Sequence, residues 1–282
     1  MIDLDYLVIG HITRDLVQDG FAIGGTASFA GRTARAMGQR TGIITSFSPD
    51  LDLGGALDDV LISWHPAATT TTFQNINTPD GRRQVLYDTA DTLVPAMIPP
   101  EWRIDPAQGV VHLAPVAQEC DAALLDAVGG AFVGLTPQGW MRRWDQDGYV
   151  SRCKWEGADL LLSRADAVVL SDEDLAQDLP TYYAARTRLL VVTHGAEGCT
   201  VYTDGISRDF PAPVVSEVDA TGSGDIFATV FFIWLRQSRD PWAAAQFANC
   251  IAAHSVTREG LSGTPTLDEV ARCTKTTMES NL

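Results

Sequence analysis

Short apolar runs rich in β-branched residues recur along the chain at 6–9, 41–45, 110–113, 131–135, 167–170 and 189–193. Each is too short for a helix, and the apolar positions are successive, as expected of strands covered on both faces. Helical patterns lie between or after them at 26–37, 120–128, 155–164 and 172–179. This alternation predicts an α/β fold: a doubly wound, mainly parallel sheet flanked by helices, in one domain over residues 1–282. The C-terminal third changes character, with two long helical patterns at 225–235 and 242–257 in close succession. No internal repeat or low-complexity linker interrupts the pattern.

One stretch breaks the alternation. Residues 69–77 are β-prone but polar, the turn Thr78-Pro79-Asp80-Gly81 follows, and residues 82–87 return. That is a hairpin signal in a segment too polar for the core. It reads either as a flap over one end of the sheet, with Arg82 and Arg83 projecting toward whatever it covers, or as an exposed edge hairpin with no function.

Charge narrows the chemistry. The chain of 282 residues carries a net charge of −16, spread along its length. A nucleic-acid partner, which needs a basic face, is not expected; a nucleotide ligand is compatible, since local amides and a metal outweigh a global field. Lys154 and Lys275 are the only lysines, so cationic help must come from arginine, helix dipoles or a metal. Cys120, Cys153, Cys199, Cys250 and Cys273 are scattered, with no two at metal-ligand spacing and no disulfide framework. Reduced thiols, and hence a cytoplasmic protein, are expected. The histidines form no ligand spacing either. Neither a signal peptide nor a membrane span is predicted.

The richest chemistry lies in Asp219-Ala220-Thr221-Gly222-Ser223-Gly224-Asp225, ahead of the apolar run that begins at Ile226. Small residues before a helix start let an anion approach unpaired N–H groups at the positive end of the macrodipole. A carboxylate in the first helical turn, here Asp225, can accept a proton from an alcohol beside such an anion. The segment therefore reads as a site of phosphoryl transfer to a hydroxyl, or as a plain capped helix. It is neither a P-loop nor a dinucleotide fingerprint.

Two further turns carry weaker signals. Gly24-Gly25 opens the first long helix and permits close backbone approach. Asp15, just after the first strand, is placed to hold sugar hydroxyls or to serve as a turn residue. Thr193-His194-Gly195-Ala196-Glu197-Gly198 follows a strand and, taken alone, reads as an ordinary hairpin loop.

In order and in motif these segments resemble the ribokinase/pfkB family of carbohydrate and nucleoside kinases over nearly the whole chain. Gly24-Gly25 and the helix through Gly38 look like the N-terminal signature. Residues 219–225 are similar to the C-terminal signature, and Thr193, Gly195 and Gly198 to the nucleotide-contact loop. Phe247-Ala248-Asn249 and residues 252–260 look like the border of the adenine site. The resemblance implies ATP across the C-terminal strand edges, a β lid from about residues 12–24 and 69–90, and Asp225 as base. It further implies an anion hole from the amides around Gly222, Ser223 and Gly224. Asp15, Gly24, Gly25, Phe29 and Arg83 would contact substrate, and Thr193, Gly195, Gly198 and Asn249 the nucleotide. Mg²⁺ would be held through water by Asp174, and Asp219 and Thr221 match positions that in relatives help bind a monovalent cation such as K⁺. Pairing of two copies through the lid and a monomer are both compatible with the family.

Two departures bear on substrate. Phe29 stands where the family usually has a sugar-binding asparagine, and a phenyl ring cannot replace an amide; it can pack on the apolar face of a ring. This points away from ribose, and the segment looks more like the branch that includes plant myo-inositol kinases. The metal-ordering Asn-x-x-Glu element appears as Ser171-Asp172-Glu173-Asp174, one methylene shorter at its end. Gln138 and Arg142 follow a strand and receive no role. The resemblance thus implies an ATP-dependent kinase for a hydroxyl of a sugar or cyclitol. A nucleoside kinase and a non-catalytic binding protein that kept the fold are the alternatives.

Overall fold

A computed structural model describes residues 1–78, 81–175 and 180–280 of the chain. The turn at Pro79-Asp80 and residues 176–179 of the expected fourth helix lie outside the described residues.

The strands of the central sheet, in chain order, are β1 (Tyr6–Ile9), β4 (Thr41–Phe47), β5 (Leu61–Pro66), β8 (Val110–Leu113), β9 (Phe132–Leu135), β10 (Ala167–Ser171), β11 (Leu189–Thr193), β12 (Cys199–Thr203) and β13 (Ile206–Phe210). A separate small sheet holds β2 (Thr13–Val17), β3 (Gly20–Gly24), β6 (Thr72–Thr78) and β7 (Gly81–Asp88). Across the large sheet the order is β13-β12-β11-β10-β9-β8-β1-β4-β5, all parallel except the antiparallel edge β11-β12-β13. From β1 the chain runs outward one way through β4 and β5, then crosses to β8 and runs the other way. The reversal between β1 and β8 is a topological switch point, where such sheets place their ligands.

The runs are continuously apolar because both faces are covered. Val8, Val110, Val169 and Val191 point to one face, and Leu7, Ile9, Val111 and Val192 to the other. The first face carries α1 (Thr26–Ala36), α3 (Ser223–Ser238), α4 (Pro241–Ser255) and part of α5 (Leu267–Ser280). The second packs on α2 (Ala158–Arg164) with Leu124, Leu125 and Trp155. Helix α3 is apolar all round from Ile226 to Ile233, Thr229 excepted, because sheet, α1 and α4 enclose it. Helix α4 starts sharply: Pro241 takes the first helical position and the Asp240 carboxylate accepts from the N–H groups of Trp242 and Ala243.

A buried polar chain fixes α3 against the sheet. Thr136 Oγ1 and Tyr6 OH each lie 2.8 Å from a His112 ring nitrogen. Tyr6 OH donates to Thr229 Oγ1 at 3.4 Å, and Thr229 Oγ1 donates to the Asp225 carbonyl at 2.8 Å. Burial pushes the His112 pKa down to about 3, so the ring is neutral and both nitrogens serve the chain. The position of the first turn of α3 is therefore tied to β1 and β8.

Several expectations are corrected. The predicted helix at 120–128 shrinks to Leu124–Ala127, and residues 172–174 form a turn. Cys250 and Cys273, expected as free thiols, are joined in a disulfide across α4 and α5, while Cys120, Cys153 and Cys199 are free. His254, set aside for want of ligand spacing, stands beside that pair. Among the described residues no helix is long and apolar enough to cross a membrane.

Candidate active site

The C-terminal ends of β1, β9, β10 and β11 open into one cavity of about 1100 Å³, roofed by the small sheet. The first turns of α1 and α3 both face it through Gly25, Thr26, Gly222 and Gly224. Two helix dipoles thus place partial positive charge in a strongly acidic protein.

The floor is the glycine turn. Gly222 sits at φ +78°, a left-handed conformation that an L side chain rarely adopts. A Cβ there would lie 2.3 Å from the Phe29 ring. The N–H groups of Gly222, Gly224 and Asp225 have no hydrogen-bond partner among the described residues, whereas Ser223 N–H donates to the Ala220 carbonyl. Ser223 is therefore corrected as an amide donor: the turn offers Gly222, Gly224 and Asp225 in its place. Phe29 lines the cavity but is only 2% exposed, so it offers a substrate ring little surface, and its ring packs under Gly222.

Asp225 is held at this floor. Thr26 Oγ1 donates to its carboxylate at 2.8 Å. Enclosure of the carboxyl pushes its pKa up to about 6, against the hydrogen bond from Thr26 and the positive charge of Arg142; Asp174 and Asp15 push it further up. A carboxylate poised near neutrality is what a general base for an alcohol needs. Burial likewise raises Asp174, whose oxygens accept from Gln138 Nε2 and Ser171 N–H at 3.4 Å each.

The end of the cavity under the small sheet is polar with an apolar rim. Thr13 Oγ1 donates to Asp15 at 2.8 Å, and Asn75, Arg83 and Gln84 reach in from the small sheet beside Phe73 and Met141. Gly24 is corrected: it does not line the cavity, and a Cβ on it would strike the Asp15 carboxylate at 2.2 Å. A side chain at position 24 would therefore force the Asp15 carboxylate to shift. A second hairpin, Arg142–Trp144 with Val150–Arg152, was not anticipated. It adds Arg142, Tyr149 and Arg152 to the wall, and Leu86 N–H donates to the Gly148 carbonyl, which fastens it to the roof. The Asp147-Gly148 pair between extended segments was its signal in the sequence.

The far end is apolar. Thr193, Gly195 and Gly198 form one rim, with Pro213, Val214 and Val215 on one side and, on the other, Ala252 and Ala253 of α4 and Val256 just past its end. Asn249 borders this end, but its amide nitrogen donates to the Phe210 carbonyl at 2.9 Å and its side chain is buried. Its visible task is to hold β13 in place. Asp219 does not line the cavity: one oxygen accepts from Thr221 N–H at 2.9 Å and the other from Gly260 N–H at 2.8 Å. A K⁺ ion would have to share those oxygens. For Mg²⁺ the donors are hard carboxylate oxygens, which suit it, and among the described residues no three cavity carboxylates lie within one ion's reach. That arrangement fits an ion that keeps most of its water.

Known proteins share this architecture. Residues 156–267 match the profile of the pfkB family carbohydrate kinases. An ATP-dependent ribose-1-phosphate kinase of Halopiger xanaduensis is 34% identical over 115 residues, 39% of each chain. An inositol 3-kinase of Zea mays is 26% identical over 291 residues, covering 92% of this chain and 73% of that one. The chain spans 35–41% of the length of the first five curated relatives that it matches. A pyrophosphate-dependent kinase in the ribokinase family, solved with a pyrophosphate analog and myo-inositol, superposes with a TM-score of 0.73 at 21% identity, over 89% of this chain and 94% of that one. Ribokinase of Thermotoga maritima gives 0.72 at 17% identity, over 96% and 99%. Over residues 156–267 the chain is similar in sequence to the pfkB family carbohydrate kinases, and along most of its length it shares its fold with ribokinase-family structures.

Proposed function

We propose that the protein transfers the terminal phosphoryl group of ATP to a hydroxyl of a small polyol, a sugar or a cyclitol. The observation that carries this reading is the enclosed Asp225 carboxylate beside the unpartnered amides of Gly222 and Gly224.

A polyol seated among Asp15, Asn75 and Arg83 would present one hydroxyl to Asp225. As that oxygen bonds to the γ-phosphorus, its proton passes to the Asp225 carboxylate and the bond from phosphorus to the β-bridging oxygen breaks. The products are the phosphate ester and ADP. The amides of Gly222, Gly224 and Asp225 face the charge that builds on the transferring group, with no reorganisation at the moment of reaction. Asp174 would help hold a bound Mg²⁺ through water, and the ion would neutralise charge on the donor phosphates. The apolar walls at Val214 and Val256, beyond the Thr193–Gly198 rim, suit the faces of an adenine ring.

The test is ADP release from Mg-ATP, and orthophosphate release with pyrophosphate as a second donor, across sugars, sugar acids, inositols and nucleosides, with K⁺ present or absent. Turnover that needs both ATP and a polyol is the expected result. Turnover with pyrophosphate alone removes the adenine assignment, a nucleoside as the only acceptor moves the substrate class, and silence with ATP bound rejects the enzyme.

Arg142 neutralises negative charge near both Asp225 and Asp174. Arg142→Gln is expected to lower kcat by roughly 10–100-fold. Because the cation holds the Asp225 pKa down, its loss should also move the acid limb of the pH–rate profile upward. An unshifted limb would leave Arg142 without a part in the chemistry.

The roof leaves Val17, Phe21 and Tyr87 exposed at 54%, 42% and 53%. A second copy paired through this sheet would cover them. Sedimentation is expected to show a dimer that Phe21→Asp disperses; a wild-type monomer at all concentrations would end that reading.

A further inference from the structure

Helix α4 carries Cys250 and, one turn on, His254; α5 brings Cys273 against them. The two sulfurs and an imidazole nitrogen all lie within 4.8 Å of one another. Cys273 is fully buried and the other two residues are half-buried. In the structure the two cysteines are joined, with Cα atoms 5.8 Å apart. A disulfide alone accounts for two of these three residues. It does not account for His254, whose carbonyl is hydrogen-bonded to Thr257 Oγ1 but whose ring has no hydrogen bond among the described residues.

We propose that with this disulfide reduced, Cys250, His254 and Cys273 bind one soft divalent cation of the zinc class, leaving a fourth position to water. Two thiolates and an imidazole match that cation and not the hard Mg²⁺ of the cavity. Spacing of i and i+4 places Cys250 and His254 on one helix face, so they reach a common ion without backbone change. A tetrahedral ion with bonds of about 2.3 Å needs the sulfurs roughly 3.8 Å apart, which side-chain rotation from the bonded pair supplies. The disulfide becomes two thiols by taking two electrons and two protons from a dithiol, which closes to its own disulfide, or two electrons from a phosphine and two protons from the water whose oxygen ends on the phosphine oxide. Binding of the cation then releases two protons as the thiols become thiolates.

The site lies where a crosslink matters. Between Cys250 and Cys273 runs the segment whose Val256 carbonyl accepts from Val218 and Asp219 N–H at 2.7 and 3.1 Å, and whose Gly260 N–H holds Asp219 at 2.8 Å. Either crosslink, disulfide or metal, therefore braces the segment that leads into the glycine turn; only the reduced, metal-free protein lacks one.

Co²⁺ titration of the full chain, reduced by a phosphine and freed of oxygen, tests the site. One equivalent is expected to bind with thiolate-to-cobalt charge transfer and tetrahedral ligand-field bands. Zn²⁺ should displace it and raise Tm, and Mg²⁺ should not compete. His254→Ala should weaken binding at least about tenfold and Cys273→Ser by more. Alkylating the reduced thiols should abolish binding, which covers the case in which Cys273→Ser folds poorly, and the oxidised protein should bind none. Absence of thiolate bands in the reduced protein, or unchanged affinity in His254→Ala, overturns the proposal.

Discussion

Asp225→Asn is expected to remove catalysis and at the same time make the protein more stable at neutral pH. The carboxyl is held at a pKa of about 6 in the fold against an ordinary 3.8, chiefly by enclosure. The folded state therefore binds this proton more tightly than the unfolded chain does. Stability is highest below the unfolded value, falls as pH rises between about 4 and 6, and is lower by up to about 3 kcal/mol above the folded value. An amide carries no such charge, and its Oδ1 still accepts from Thr26 Oγ1, the partner that Asp225 has at 2.8 Å. The variant should gain several degrees in Tm at pH 7 and match wild type near pH 4. Its turnover should fall by about 10²–10⁴-fold, the range for loss of a general base. In the wild type, kcat should rise with unit slope up to about pH 6, following deprotonation of Asp225. A variant that loses stability at pH 7, or keeps more than a tenth of wild-type turnover, would break the link between enclosure and chemistry.

That link also explains what the sequence could and could not reveal. The strands at 6–9, 110–113 and 189–193 were read to the residue because runs buried on both faces leave little ambiguity. The glycine turn at the start of α3 was legible because small residues in an unusual local order mark it within one segment, and the role proposed for Asp225 rests on that same segment. Partners far apart in sequence were not. Thr26 meets Asp225 across 199 positions, and Phe29 meets Gly222 across a similar span, so each function depends on the packing of α1 on α3. Phe29 was read against the substrate because a family position was considered without the surface that packing would leave it. Ser223 was read as a donor because spacing does not reveal which amide a tight turn consumes internally. The second hairpin, at Arg142 and Val150, was lost among strongly polar residues despite its Asp-Gly turn. Cys250 and His254 were missed for a simpler cause: cysteines were compared with cysteines and histidines with histidines, while the ligand spacing is mixed and its third member comes from another helix.

Gly222→Ala should be nearly as damaging as loss of the base, by a route that binding alone would not reveal. A methyl group at this position meets two obstacles. The backbone is at φ +78°, where a Cβ costs roughly 1–2 kcal/mol, and the Phe29 ring stands 2.3 Å from where the Cβ would be. The ring cannot retreat, because it is buried at 2% exposure between α1 and α3. The turn must move instead, and with it the amides of Gly222, Gly224 and Asp225. Misplacing one such donor typically costs about 10²–10³-fold in kcat. Asp15, Asn75 and Arg83, the residues proposed to contact the polyol, lie on other elements, so the substrate KM should change little. The ring's part is testable apart from the backbone's: adding Phe29→Ala to Gly222→Ala opens space for the methyl group and should restore a share of the lost kcat, a positive coupling in the double-mutant cycle. Equal losses with and without Phe29 would assign the damage to the left-handed backbone alone. Full activity of Gly222→Ala would mean that the turn does not hold the transferring phosphoryl group.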